Sequence, residues 1–243
     1  MPGSAIDQSQ IRYARLAGIM FLLVDAAYAL GLLITSRFQV PGNFAETARK
    51  IMASEHVYRM GLASELIGVL CTVLLAMGLY VAVKPINKNL ALLALLLRMI
   101  EATVFAVMVV LVFGAAKLYA GSDSSKAFDA NQLSIVMNLI RSVAGSAGFN
   151  IAAIFFSLGS TLFFYLFFKS TYIPKFFSRL GLFGSILVPI VCFGTLIFPQ
   201  QGAVLQFGWL PIGIAEILAG FWLLFKGINL QHQQTRVAAV VST

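Results

Sequence analysis

Five ionisable residues stand where the sequence is otherwise apolar: Asp25, Glu65, Arg98, Glu101 and Glu216. Each interrupts a hydrophobic run long enough to cross a bilayer. A charge at the centre of a spanning helix costs at least about 2.5–3.5 kcal/mol on insertion scales. These residues are therefore expected to face a polar interior, not lipid. Four carboxylates against one guanidinium leave a formal surplus of three negative charges, or two if Arg141 dips inward. In a low dielectric that surplus has to be relieved by protonation, by a bound cation or by water. The chemistry open to this set is the binding or passage of a proton, a cation or a small polar molecule.

Spacing groups them further. Arg98 and Glu101 are three residues apart and share one helix face, as do Asp25 and Tyr28. Asn138 and Arg141 share a face nearer the outer surface, continuing to Gly145 and Gly148. Other chemistries find little support. The two histidines, His56 and His232, fall on opposite sides of the expected membrane, His56 as a solvated residue at an outer mouth. Three glutamates and an aspartate could hold Mg²⁺ or Ca²⁺, but no spacing recommends it. No nucleotide loop, haem motif or nucleophile elbow is present. The expectation is no catalytic residue, no metal and no cofactor. Cys71 and Cys192 sit in apolar runs and read as small buried hydrophobes.

The elements that must position these charges follow from composition. Of 243 residues, 60% are apolar and 11% charged, against roughly a quarter charged in a soluble domain. A spanning helix takes about 20 residues. The chain accordingly reads as an all-α, polytopic transmembrane bundle of six helices over 16–229, with tails at 1–15 and 230–243. The spans are placed at Leu16–Thr35, Val57–Val83, Asn89–Ala116, Val143–Phe168, Leu180–Phe198 and Leu205–Phe225. The five charges lie eight to twelve residues from the span ends, which puts them in one central slab. The first span could imitate a signal peptide with Ala27-Tyr28-Ala29 as a cleavage site, but its length and Asp25 favour a retained helix.

Orientation follows from Lys and Arg. Nine (Arg12, Arg15, Lys84, Lys88, Lys169, Lys175, Arg179, Lys226 and Arg236) lie in short turns and tails on one side. Seven (Arg37, Arg49, Lys50, Arg59, Lys117, Lys126 and Arg141) lie on the other, mostly in two loops that also carry acids, and Arg98 completes the seventeen. Both termini are expected in the cytoplasm, with 37–56 and 117–141 outside. The formal charge of +8 then forms a collar for anionic headgroups, with no nucleic-acid groove. Phe163, Phe164, Tyr165, Phe167 and Phe168 read as an interfacial anchor before Lys169. Residues 128–140 look helical, extending the fourth span or lying along the interface. Ala144, Gly148 and Ala152, and likewise Ser64, Gly68 and Thr72, offer small faces for close helix approach. Pro189 and Pro211 are candidate kinks. No internal repeat supports an inverted-repeat transporter.

Several local patterns combine into a resemblance. They are Ala14-Arg15-Leu16-Ala17-Gly18, Glu65-Leu66-Ile67, Arg98-Met99-Ile100-Glu101-Ala102 and Arg141, then Ile173-Pro174-Lys175, Gly181-Leu182, Leu210-Pro211, Glu216 and the run Trp222–Asn229. With these the chain resembles, over roughly 12–229, a bacterial integral-membrane family known only as a domain of unknown function with six predicted helices. The resemblance implies the fold and brings no activity with it. The expected protein is a multi-pass protein of a bacterial cytoplasmic membrane, in contact with the lipid bilayer and open to oligomerisation. Its cavity would be lined by Glu65, Arg98, Glu101 and Glu216, with Asp25 beside them and Arg141 and Asn138 toward the outer mouth. The alternatives are a non-catalytic membrane subunit whose charges lock the bundle or pair with a partner, and, third, an intramembrane lipid-modifying enzyme.

Overall fold

The computed structural model describes residues 3–40, 42–119 and 129–229. Asp123, Lys126, Phe128, His232, Arg236 and the tail 230–243 lie outside the described residues. Among the described residues there is no strand. The chain runs through α1 (Gly3–Ser36), α2 (Phe44–Ala53), α3 (Glu55–Val83), α4 (Lys88–Tyr119), α5 (Ala130–Ser142), α6 (Gly148–Ser170), α7 (Lys175–Ile197), α8 (Gly202–Leu205) and α9 (Leu210–Phe225). Among the described residues six segments are long and apolar enough to cross a membrane: Gln8–Ser36, Glu55–Val83, Lys88–Leu118, Asn131–Ser170, Lys175–Ile197 and Gln206–Phe225. Helices are the expected solution, because a backbone in hydrocarbon must satisfy its own hydrogen bonds.

The chain divides into two compact units. The first comprises residues 1–23, 71–101 and 153–243, and the second 24–70 and 102–152. Helices α1, α3, α4 and α6 thus contribute a segment to each.

In the first unit, helices approach through residues without side chains. A Cβ on Gly18 would stand 2.4 Å from the Leu224 nitrogen and 2.7 Å from the Gly220 oxygen, so α1 and α9 touch backbone to backbone. A Cβ on Gly78 would meet the Tyr13 oxygen at 2.9 Å, which brings α3 onto α1. Ala14 and Ala17 are fully buried in the same seam, a packing reason for the Ala14–Gly18 pattern. Helix α1 begins well before the apolar run does, and the Gln10 amide donates to the Ala82 carbonyl at 2.9 Å. That carbonyl lies in the last turn of α3, where helices leave acceptors unpaired.

Helix α7 packs on α9 through Gly184, whose Cβ would lie 2.4 Å from the Ile212 nitrogen. Pro211 occupies the first turn of α9, where proline is tolerated. Pro189 lies inside α7 and offers no N–H to the carbonyl four residues back, that of Ser185. The expected aromatic anchor is also corrected. Phe163, Phe164 and Phe167 are buried, and the Phe164 ring occupies the place of a Gly181 Cβ. They are helix-packing residues; Tyr165 is exposed, and Phe168 carries the Arg179 guanidinium 5.7 Å from its ring centroid.

The second unit has its own apolar core of Phe38, Ile51, Tyr58, Leu62, Ala115, Ala116 and Met137. Ile51 comes from α2, a helix within the 37–56 segment that reads as a polar loop from hydropathy. Its start is fixed by Asn43, whose side chain accepts from the Glu46 N–H at 2.9 Å. Helix α5 begins with an Asp129–Gln132 capping box and runs through a π-helical turn at Val143–Ala147 into α6. Residues 131–170 therefore extend the fourth span, as one of the two readings of 128–140 expects. The small residues act as expected within this unit. Ser64 Oγ donates to the Ala27 carbonyl at 2.9 Å, and the Tyr28 ring lies 2.9 Å from a Cβ on Gly68.

Candidate functional site

Arg98 is the largest of the fully buried side chains, at 2% exposure. Helix periodicity explains its setting. On α6, Phe156, Gly159 and Ser160 follow an i, i+3, i+4 pattern and present one face, and all three meet Arg98. A Cβ on Gly159 would lie 3.0 Å from Arg98 Cγ and 3.1 Å from Cδ, so the glycine leaves a trough for the apolar stem. Ser160 Oγ accepts from Arg98 Nη1 at 3.4 Å. The guanidinium carbon lies 4.8 Å from the Phe156 ring centroid, a cation–π arrangement that gains strength where water is excluded. Phe156 in turn stacks on Trp209 with centroids 6.0 Å apart.

Glu101, one turn along α4, completes the cluster. Its Oε2 lies 3.1 Å from Arg98 Nε, while neither atom has a directed hydrogen bond; the contact is a charge pair. Glu101 is 3% exposed. This is the pairing expected from the spacing. Glu216, from the middle of α9, belongs to the same unit and is 8% exposed. Nearby on α6, Thr161 Oγ1 donates to the Ser157 carbonyl at 2.7 Å, and Ser185 Oγ of α7 lies 2.9 Å from the same hydroxyl oxygen.

The second unit holds the other sequence candidates. Glu65 is half-buried on α3, and a Cβ on Gly31 of α1 would sit 2.5 Å from its Cγ. Thr35 Oγ1 lies 3.4 Å from Glu65 Oε1 and donates to the Gly31 carbonyl at 2.9 Å. Asp25 and Tyr28 are half-buried on α1, with the Tyr28 ring 5.4 Å from that of Phe105. Arg141 is half-buried, but Asn138 is exposed. The face of α5 that enters the core carries Leu133, Met137 and Ile140, and Asn138 lies off it. Among the described residues no three His, Cys, Asp or Glu side chains converge as metal ligands would.

Sequence reasoning found the ionisable residues and missed their supports. Phe156, Gly159 and Ser160 carry a legible signal, a small polar and an aromatic residue at helical spacing, but nothing in it names Arg98 as their partner. Gly31 and Thr35 were equally silent.

A family model described as Domain of unknown function (DUF4386) matches residues 16–227. No curated protein and no solved structure matches the chain.

Proposed function

The chain belongs to that family, whose description assigns no activity, and from that premise we propose that it binds or conducts a proton, a cation or a small polar molecule within the membrane. The observation that carries the reading is the buried charge of the first unit: Glu101 and Glu216 against Arg98, none more than 8% exposed. Two enclosed carboxylates and one enclosed guanidinium make a formal surplus of one negative charge, and enclosing charge in an apolar interior is costly. A proton is the favoured occupant. It needs a single carboxyl oxygen, whereas a Ca²⁺ ion takes six to eight oxygen ligands. Glu101 has Arg98 beside it and stays ionised in this reading, which leaves Glu216 as the carrier.

The setting we propose is a bacterial cytoplasmic membrane, with both termini and the basic turns at Lys84, Lys88, Lys169, Lys175 and Arg179 on the cytoplasmic side. A second reading has its own support: the enclosure of Arg98 by Gly159, Ser160 and Phe156 is what a packing lock requires. In that case the protein is a non-catalytic membrane subunit. Proteoliposomes containing a pH-sensitive dye separate the two. Under a potassium diffusion potential, wild-type protein should admit protons and Glu216→Gln should not. Flux equal to that of empty vesicles for both, with no protonated Glu216 detectable, leaves the subunit reading.

A further inference from the structure

We infer that Glu65 is a second, separate proton site, whose neutral carboxyl faces the lone pairs of the Thr35 hydroxyl. The inference does not rest on the Arg98 cluster, which belongs to the other unit.

A threonine hydroxyl has one proton to donate and two lone pairs with which to accept. Thr35 Oγ1 lies 2.9 Å from the Gly31 carbonyl and 3.4 Å from Glu65 Oε1. The first distance is that of an ordinary hydrogen bond. The second is longer than a closed O–H···O bond in either direction, so the two oxygens are neighbours and the shorter contact decides where the hydroxyl proton points. The single proton of Thr35 is thereby committed to Gly31, and the side of the hydroxyl toward Glu65 carries lone pairs. A charged carboxylate would be repelled there, whereas a carboxyl bearing its proton finds an acceptor.

The seat is built for the side chain. Gly31 leaves the space that Glu65 Cγ fills, and a Cβ on Gly61, one turn before Glu65, would come within 2.9 Å of Thr35 Cγ2. The two helices are thus locked together around the carboxyl. Glu65 lies among the buried residues of α3, with Leu62, Ser64, Gly68 and Val69 all buried, yet it stays half-exposed. A carboxyl that is seated, offered an acceptor and still reachable is equipped to exchange a proton.

Among the described residues the ion pairs do not include Glu65, and Arg37, two residues past Thr35, is exposed. Helix α1 carries Asp25 and Tyr28, and α3 carries Glu55, His56 and Arg59 near its start, Arg59 being paired with Glu55. Lys117 lies at the exposed end of α4 and Arg141 is half-buried on α5.

Carbodiimide labelling of the full-length protein in detergent tests this. The reagent takes the proton of a neutral carboxyl onto nitrogen while the carboxyl oxygen bonds to its central carbon. An acyl shift to nitrogen then leaves a stable N-acylurea, and ionised carboxylates do not react. With dicyclohexylcarbodiimide or a water-soluble analogue, peptide mass spectrometry should find the adduct on Glu65 at pH 7, absent in Glu65→Gln and falling as pH rises. Thr35→Val should lower labelling by about fivefold, the weight of one ordinary hydrogen bond, and Thr35→Ser should retain it; Thr35→Ala serves if the valine variant is not monodisperse. No adduct on Glu65 between pH 5 and 9 would overturn the inference. So would labelling that rises or stays level in Thr35→Val, since a hydroxyl that donated to a carboxylate would have favoured the unreactive form.

Discussion

Replacing Arg98 with methionine isolates the energetic role of the buried guanidinium. Methionine fills most of the trough over Gly159 and keeps an apolar contact with Phe156, so the perturbation is the loss of charge. Arg98 and Glu101 lie on the same helix, three residues apart, and their pairing does not depend on α4 meeting α6. What folding adds is the enclosure of both groups, to 2% and 3% exposure. In Arg98→Met the Glu101 charge must be enclosed alone. Removing one partner of a buried pair costs about 3–5 kcal/mol, whereas an ordinary interhelical hydrogen bond in a membrane protein averages about 0.6 kcal/mol. The first figure corresponds to a fall in melting temperature of roughly 6–20 °C at the 2–4 °C per kcal/mol typical of a chain this size. Glu101→Gln should cost a similar amount, by leaving the guanidinium alone. Arg98→Met with Glu101→Gln removes both charges and should melt above either single variant. Thermal melts of all four proteins in one detergent decide the matter. A double variant that loses the sum of the single losses would show that the two charges do not act as a pair.

Three further outcomes follow from the geometry. Gly18→Ala drives a methyl into the α9 backbone and should cost about 1–3 kcal/mol; Gly213→Ala meets nothing within 4 Å and should be neutral or gain up to about 1 kcal/mol, a contrast readable in detergent melts. Glu46 is held below the ordinary carboxylate range, chiefly by its hydrogen bonds from Arg49, with desolvation opposing. Its contribution to α2 is therefore present above the unfolded value and is lost as pH falls through the lower folded one; ¹³C NMR of Glu46 in Arg49→Gln should show its titration moving up toward the ordinary range. For topology, an impermeant thiol reagent on intact cells should label Gln39→Cys and spare Lys88→Cys against a silent background, since Cys71 and Cys192 are buried; the opposite pattern inverts the proposed orientation.

The parts of this structure visible in the sequence are those that depend on composition along the chain. Six apolar runs give the spans, and the ionisable residues inside them mark the buried polar groups, because hydrocarbon tolerates few exceptions to either rule. The Arg98–Glu101 pair was legible because it lies within one helix. What depends on contact between helices was not. Phe163, Phe164 and Phe167 look like an interfacial belt beside Lys169 and are buried, a distinction set for Phe164 by Gly181 on another helix. Asn138 shares a nominal face with Arg141, yet that face is not the one α5 buries. Helix α2 is polar on average and is held by Thr47 and Ile51, both nearly inaccessible, which a hydropathy scan does not register. The π-helical turn before Gly148 has no signature in a composition of small residues.

The central claim is that the first unit encloses more carboxylate than the buried Arg98 guanidinium can neutralise, and that Glu216 holds the compensating proton. Difference infrared spectroscopy of purified protein at pH 7, wild type against Glu216→Gln, measures this directly. The account predicts a protonated-carboxyl C=O stretch in the wild type that disappears in the variant. Absence of a band that depends on Glu216, together with elemental analysis finding no bound cation, would contradict it: Glu216 would then be charged, and the interior around it would be wet.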